Sequence, residues 1–158
     1  MTWRGSTTVP DRIFAALPYL LPLISALGFG QFLFAQFPIL SLLFIPILPL
    51  AQIYYSNRFM SLIIFFALFL LVVRNERISH FIRFNTMQAI LIDIVLMLCG
   101  LILPLLLRAI PITLIQETLF NVVFLGVLAA FIYSVAQSLL GRYAEIPTLS
   151  DAVYMQVR

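Results

Sequence analysis

Long uncharged stretches separated by arginines dominate the hydrophobic pattern of this chain. Four of them are 45, 15, 24 and 24 residues long, and one contains Asp93 as its single charge; they cover residues 13–57, 59–73, 84–107 and 118–141. A transmembrane helix needs roughly 20 apolar residues. The pattern therefore predicts four spans, or five if residues 37–55 cross as well.

The arginines decide between these two counts, because short inner loops collect positive charge. With spans at about 12–30, 57–73, 84–107 and 115–140, both termini and the loop 74–83 share one side. That side then holds seven arginines: Arg4, Arg12, Arg74, Arg77, Arg83, Arg142 and Arg158. Arg58 and Arg108 lie opposite, whereas five spans would divide the arginines five to four. We predict a four-helix transmembrane bundle with both termini on the cytoplasmic or stromal side.

Residues 31–56 are then an apolar segment that does not cross the membrane. Prolines at 38, 46 and 49 suit a kinked interfacial or re-entrant element, and Tyr54 and Tyr55 are typical of the membrane interface. At membrane depth its backbone must be helical or covered by protein, so we expect it to pack on the bundle. A plain fifth span stays the alternative.

Composition supports a single integral membrane domain over residues 1–158. The chain is 63% hydrophobic and 9% charged, whereas soluble domains are about 25% charged. All nine basic residues are arginine, and the net charge of +3 is explained by orientation in the membrane, without nucleic-acid binding. Membrane lipids are expected partners. The one cysteine, Cys99, excludes an intramolecular disulfide and reads as a buried thiol.

The third span carries a polar face that is the candidate for a path or partner contact: Asn85, Gln88 and Asp93. Asp93 lies about 13 Å along the helix from Phe84, at ~1.5 Å per residue, close to the membrane midplane. A carboxylate there costs on the order of 3 kcal/mol. It is therefore neutral and hydrogen-bonded, to Thr86, Tyr19 or a serine, or it faces a hydrated cavity. Polar glue between helices is the competing interpretation.

The loop arginines Arg74, Arg77 and Arg83 are candidates for docking a partner or lipid head groups. The alternative interpretation is that these arginines only set the orientation of the chain in the membrane, which explains them adequately.

Small residues recur every four positions in the last span, at Gly126, Ala130, Ser134 and Ser138. Such a ridge allows another helix to approach closely, and its serines can hydrogen-bond across the interface. We expect a partner helix in the same chain, with a second copy as the alternative; a homo-oligomer stays open.

Signatures of catalysis and of metal binding are missing. The sequence contains no GxSxG, HExxH or Gly-rich phosphate loop, and only one His and one Cys. We therefore predict no catalytic residue, no metal site and no cofactor.

Three segments resemble one known family. They are RNERISHFIRFNTMQAILID (Arg74–Asp93), FGQFLFAQFP (Phe29–Pro38) and GRYAEIPTLSDAVYMQVR (Gly141–Arg158). All three look like the twenty-kilodalton subunit family of the translocon at the inner envelope membrane of chloroplasts. The resemblance covers nearly the whole chain. It implies a four-helix membrane protein with stromal or cytoplasmic termini, part of a protein-import machine in plants. The chain lacks the long N-terminal extension of plant members, so it resembles the cyanobacterial or plastid-encoded type.

Three functions follow as hypotheses. The first is a subunit of a protein-translocation or membrane-protein assembly complex, which implies other membrane-protein subunits as partners. The second is a channel or transporter for small solutes or ions, with Asp93 in its path. The third is a structural subunit of a photosynthetic or respiratory complex. The expected location is a cyanobacterial plasma or thylakoid membrane, or the plastid inner membrane.

Overall fold

Helices account for most of residues 7–157, the part of the chain that the computed structural model describes. Arg4 and Arg158, which entered the arginine count, lie outside these residues. The α-helices are α1 Val9–Ala16, α2 Leu20–Ala26, α3 Gln31–Gln36, α4 Pro38–Leu42, α5 Leu48–Tyr55, α6 Met60–Leu68, α7 His80–Ala109, α8 Thr113–Leu139 and α9 Leu149–Gln156. The prediction of an all-α membrane protein is confirmed.

The helical path Val9–Gln36, which we call the first membrane helix because it is long and apolar enough to cross, is a chain of short segments. Thr8 caps α1, because its hydroxyl accepts from the Asp11 amide at 3.3 Å while the Asp11 carboxylate accepts from the Thr8 amide at 3.2 Å. Pro18 lacks an amide donor, and the helix tightens to a 3₁₀ turn at Leu17–Tyr19 before α2 begins. The helical path Val9–Gln36 continues through α3 to Gln36, beyond the predicted end of the span at residue 30.

The proline-rich segment ends in a sharp bend. The helical path Ile45–Tyr55 meets the path Met60–Val73 at 101°, and we call these two paths the bent pair. The first path consists of a 3₁₀ turn and α5, and Pro46 and Pro49 lie in the first turns of these two pieces. The second arm, α6 followed by a π-helical turn at Phe69–Val73, is about 21 Å long at ~1.5 Å per residue. That is shorter than a ~30 Å hydrocarbon core, so this arm alone is short for a crossing.

Helices α7 and α8 are 30 and 27 residues long. Within residues 7–157, three paths are long and apolar enough to cross a membrane (α1–α3, α7 and α8), and a fourth is obtained if the bent pair counts as one span. Which residues cross therefore stays a prediction. The Ser79 hydroxyl caps α7 by accepting from the Ile82 amide. The first half of α7 is buried and its second half is largely exposed. Helix α7 therefore forms the centre of the bundle at the end next to residues 74–79, which we call the arginine loop.

The C-terminal segment folds back onto that buried half of α7. Gly141, with φ of +75°, ends α8 in a left-handed turn that favours glycine. The chain then leads to α9, where Val153 and Val157 pack with Phe84 and Ile90 in one buried cluster. This return brings the backbone of Ala144, which is fully buried, against the polar residues of α7.

Gly30 provides a first test of the packing. A Cβ at this position would lie 2.9 Å from ring carbons of both Phe124 and Phe34, whose rings pack edge to face, whereas a Cβ at Gly28 would meet nothing within 4 Å. We expect Gly30→Ala to lower the free energy of unfolding by about 1–3 kcal/mol through overpacking, and Gly28→Ala to leave it nearly unchanged. Thermal unfolding in mild detergent measures both, and equal midpoints for the two variants would contradict this packing.

Candidate functional site

The predicted polar face of α7 lies inside the monomer. Asn85, Gln88 and Asp93 are all fully buried. The structure divides them into two groups, because Asn85 and Gln88 share one hydrogen-bonded network while Asp93 belongs to another.

The first network centres on Tyr19, which the 3₁₀ turn of the first membrane helix directs at α7. Its hydroxyl donates to Asn85 Oδ1 at 2.7 Å and accepts from Gln88 Nε2 at 3.0 Å. Asn85 Oδ1 also accepts from the Ser138 hydroxyl at 3.1 Å, and Gln88 Nε2 donates to the Ala144 carbonyl at 2.6 Å. The network joins the first membrane helix, α7, α8 and the C-terminal segment, so it holds the bundle together.

Asp93 forms the second group with Ser25 and Tyr54. Its Oδ1 accepts from the Ser25 hydroxyl at 2.5 Å, and the Ser25 and Tyr54 hydroxyl oxygens lie 3.0 Å apart. Of the three partners expected for Asp93, the structure selects a serine, while Tyr19 bonds to Asn85 instead. Asp93 Oδ2 is buried without a hydrogen-bond partner in the described part of the chain, so one acceptor oxygen of this acid is unused.

A cavity of 400 Å³ adjoins this acid at the bend between α5 and α6. Its polar lining is Ser25, Tyr54, Tyr55, Asn57, Arg58 and Ser61. The remaining wall comes from Phe29, from Leu62 and from the middle of α7. Asp93 is thus separated from the cavity by one hydrogen bond, through Ser25. We call this arrangement the Asp93 site, meaning Asp93, Ser25, Tyr54 and the adjoining cavity with Arg58.

The three arginines predicted for the loop 74–83 have different surroundings. Arg83 lies in the first turn of α7 rather than in the loop, because α7 already begins at His80. It is buried, and its Nε donates to the Val73 carbonyl at 2.9 Å. Arg74 donates to Gln156 Oε1 at 3.2 Å and lies over the Phe69 ring. Arg77 is exposed. Two of the three candidates therefore bind within the chain, and their docking role stays a prediction.

The small-residue ridge of α8 is buried at one end and open at the other. Ser134 and Ser138 are buried, and Ala130 packs near Tyr19 and Ala89. A Cβ at Gly126 would meet nothing within 4 Å, so any partner helix that uses Gly126 comes from outside the described part of this chain.

Sequence reasoning missed several residues. Ser25 and Tyr54 complete the Asp93 site, and Gly30 is a glycine in close contact with aromatic rings of the bundle. Ser25 and Asp93 are 68 positions apart, so only the fold reveals their pairing. Among residues 7–157, no group of three His, Cys, Asp or Glu side chains is placed to hold a metal ion.

Comparison with known proteins adds an independent result. The family model described as chloroplast import apparatus Tic20-like matches residues 7–153. A Tic20 family protein of Synechocystis is 56% identical over 94% of this chain and 93% of its own length. Protein TIC 20-II of Arabidopsis thaliana is 38% identical over 99% and 78% of the two chains. The Ycf60 protein of Porphyra purpurea is 33% identical over 99% and 80%. The resemblance expected from the three segments is confirmed, and the chain belongs to the Tic20 family.

Proposed function

We propose that this chain is a small polytopic subunit of a protein-translocation or membrane-protein assembly machine. Two kinds of observation support the proposal. The matched family is described by its part in a chloroplast import apparatus, and the helices suit a multi-pass membrane protein. Other membrane-protein subunits are then its partners, in a cyanobacterial plasma or thylakoid membrane or in the plastid inner membrane.

The Asp93 site is the observation that supports this function most strongly. A polypeptide segment entering a membrane carries backbone amides and carbonyls that lipid cannot satisfy. The cavity offers hydroxyls, an amide and the Arg58 guanidinium beside the short arm α6, and the buried carboxyl of Asp93 adds an unused acceptor behind Ser25. We assign Asp93 to the path of the client, and Asn85 and Gln88 to the scaffold that positions it.

A channel for ions or small solutes is the second candidate. The unpartnered Oδ2 of Asp93 favours it, because acids inside membranes mark ion and proton pathways. Conductance of the purified protein alone in planar bilayers, lost in Asp93→Asn, would favour this function over the first.

The proposal places both termini on the cytoplasmic or stromal side, with the bent pair counted as one crossing. Substituted cysteines in a Cys99→Ser background test this orientation. We expect a cysteine at the exposed Met155, in α9, to react with an impermeant reagent from the inner side. A cysteine at Ile112, between α7 and α8, should react from the outer side. Labelling of both from one side would contradict a crossing by α8, which the four-crossing arrangement requires.

Site-specific photocrosslinking tests the path itself. Met97 lines the cavity, and Leu101, one helical turn further along α7, is 68% exposed on the outer surface of the bundle. With a photoreactive residue at each position and a client arrested during translocation, we expect client adducts at Met97 at several times the yield at Leu101. Equal yields, or adducts with lipid only, would contradict a path through this cavity.

A further inference from the structure

A second cavity, an apolar groove of 590 Å³, opens on the bundle near the arginine loop. Its walls come from the first membrane helix, α5, α6 with the π-helical turn, and the start of α7. Leu21 and Ile64 belong to this lining, which is almost wholly aliphatic and aromatic. The volume is in the range of ligand pockets, roughly 300–1,000 Å³.

The length of the groove matches one leaflet of a membrane. Along the first membrane helix the lining runs from Phe14 to Ile24, which is about 15 Å at ~1.5 Å per residue. The hydrocarbon core is ~30 Å thick, so a leaflet contributes about half of that. Tyr54, which is buried and near Ser25 through its hydroxyl, bounds both this groove and the Asp93 cavity and so separates them. The groove therefore fits an acyl chain better than a membrane-spanning helix.

An exposed positive charge lies next to the groove lining in the arginine loop. Ile78 lines the groove, and Arg77 beside it is exposed. Arg83 and Arg74 are held by contacts within the chain, as described above. Glu76 adds an exposed opposite charge, so the arginine loop keeps a net positive charge suited to an anionic head group.

We propose that the groove binds one anionic phospholipid. One acyl chain lies along Leu21 and Ile64, and the head group binds Arg77. This site is separate from the Asp93 site and does not depend on the proposed translocation function.

Native mass spectrometry tests the proposal with protein released from nanodiscs that contain equal amounts of phosphatidylglycerol and phosphatidylcholine. We expect the wild type to retain one phosphatidylglycerol in preference to phosphatidylcholine. Ile64→Trp, which fills the groove, should reduce the retained lipid at least fivefold. Ile63→Trp is the matched control, because the neighbouring Ile63 is 56% exposed and does not line the groove. If Ile64→Trp fails to fold, Leu50→Trp at the exposed rim takes its place.

Head-group selectivity tests Arg77 separately. Arg77→Gln should reduce the preference for phosphatidylglycerol about fivefold, which is the contribution of one arginine near a charged membrane surface. Arg108→Gln removes the same charge at the opposite end of α7 and should leave the preference unchanged. Equal retention in Ile64→Trp and Ile63→Trp, or equal losses of preference in the two arginine variants, would overturn the proposal in favour of lipid bound unspecifically around the bundle.

Discussion

Replacing Asn85 with leucine is expected to lower the free energy of unfolding by about 2–3 kcal/mol. Asn85 Oδ1 accepts from the hydroxyls of Tyr19 and Ser138, and Asn85→Leu leaves both of these buried donors without this acceptor. Tyr19→Phe should cost only about 1 kcal/mol, because Asn85 keeps Ser138 and Gln88 keeps the Ala144 carbonyl. Denaturant or thermal unfolding in mild detergent measures all three proteins.

Asn121 supplies the control for this prediction. It lies on α8, and its side-chain oxygen is buried without a hydrogen-bond partner in the described residues. Asn121→Leu should therefore leave stability unchanged or raise it, although the chemical change is identical. A similar loss in Asn85→Leu and Asn121→Leu would mean that the Tyr19 network does not stabilise the bundle.

Replacing Asp93 with leucine is expected to reduce function without lowering the free energy of unfolding. A charged carboxylate at this depth costs on the order of 3 kcal/mol, and even the neutral acid is a buried polar group with only one of its oxygens hydrogen-bonded. Asp93→Leu should leave the free energy of unfolding unchanged or raise it, while function falls at least tenfold. Function is measured as rescue of cells depleted of the protein, or as translocation by the reconstituted complex.

Asp93→Asn is the matched variant, since its side-chain oxygen still accepts from Ser25. Folding and partner recovery should be preserved in this variant, so any loss of function reports on the carboxyl group itself. If Asp93→Leu is instead destabilised in proportion to its loss of function, Asp93 is a packing residue and the proposed path loses its central residue.

The coarse features of this fold could be predicted because they follow from local patterns. Uncharged stretches of about 20 residues predict membrane helices from the chain alone. The bend at 101° between the two arms of the bent pair is less predictable. Prolines indicate a break but give neither its angle nor what packs against it. The first helical path continues to Gln36 through α3, where Phe34 packs against Phe124 of α8. The sequence has no local signal for this contact.

The candidate site was predicted only in part, for a similar reason. A polar side chain inside an apolar helix is visible in the sequence, and Asn85, Gln88 and Asp93 were identified in that way. Their partners Tyr19, Ser25 and Ser138 are 53 to 69 positions distant along the chain. Spacing also favoured Gly126 as the close-packed glycine, whereas aromatic rings surround Gly30. Both the hydrogen-bond partners of the polar residues and the close contacts of Gly30 depend on tertiary packing.

The central claim, that the chain works as a subunit of a larger machine, is tested most directly by purifying the tagged protein from its native membrane in mild detergent. Native gel electrophoresis and mass spectrometry then give the size and composition of the complex. We expect other membrane proteins in stoichiometric amounts, retained in Asp93→Asn. A small species without other proteins, which conducts ions in planar bilayers by itself, would contradict the claim and identify a self-sufficient channel.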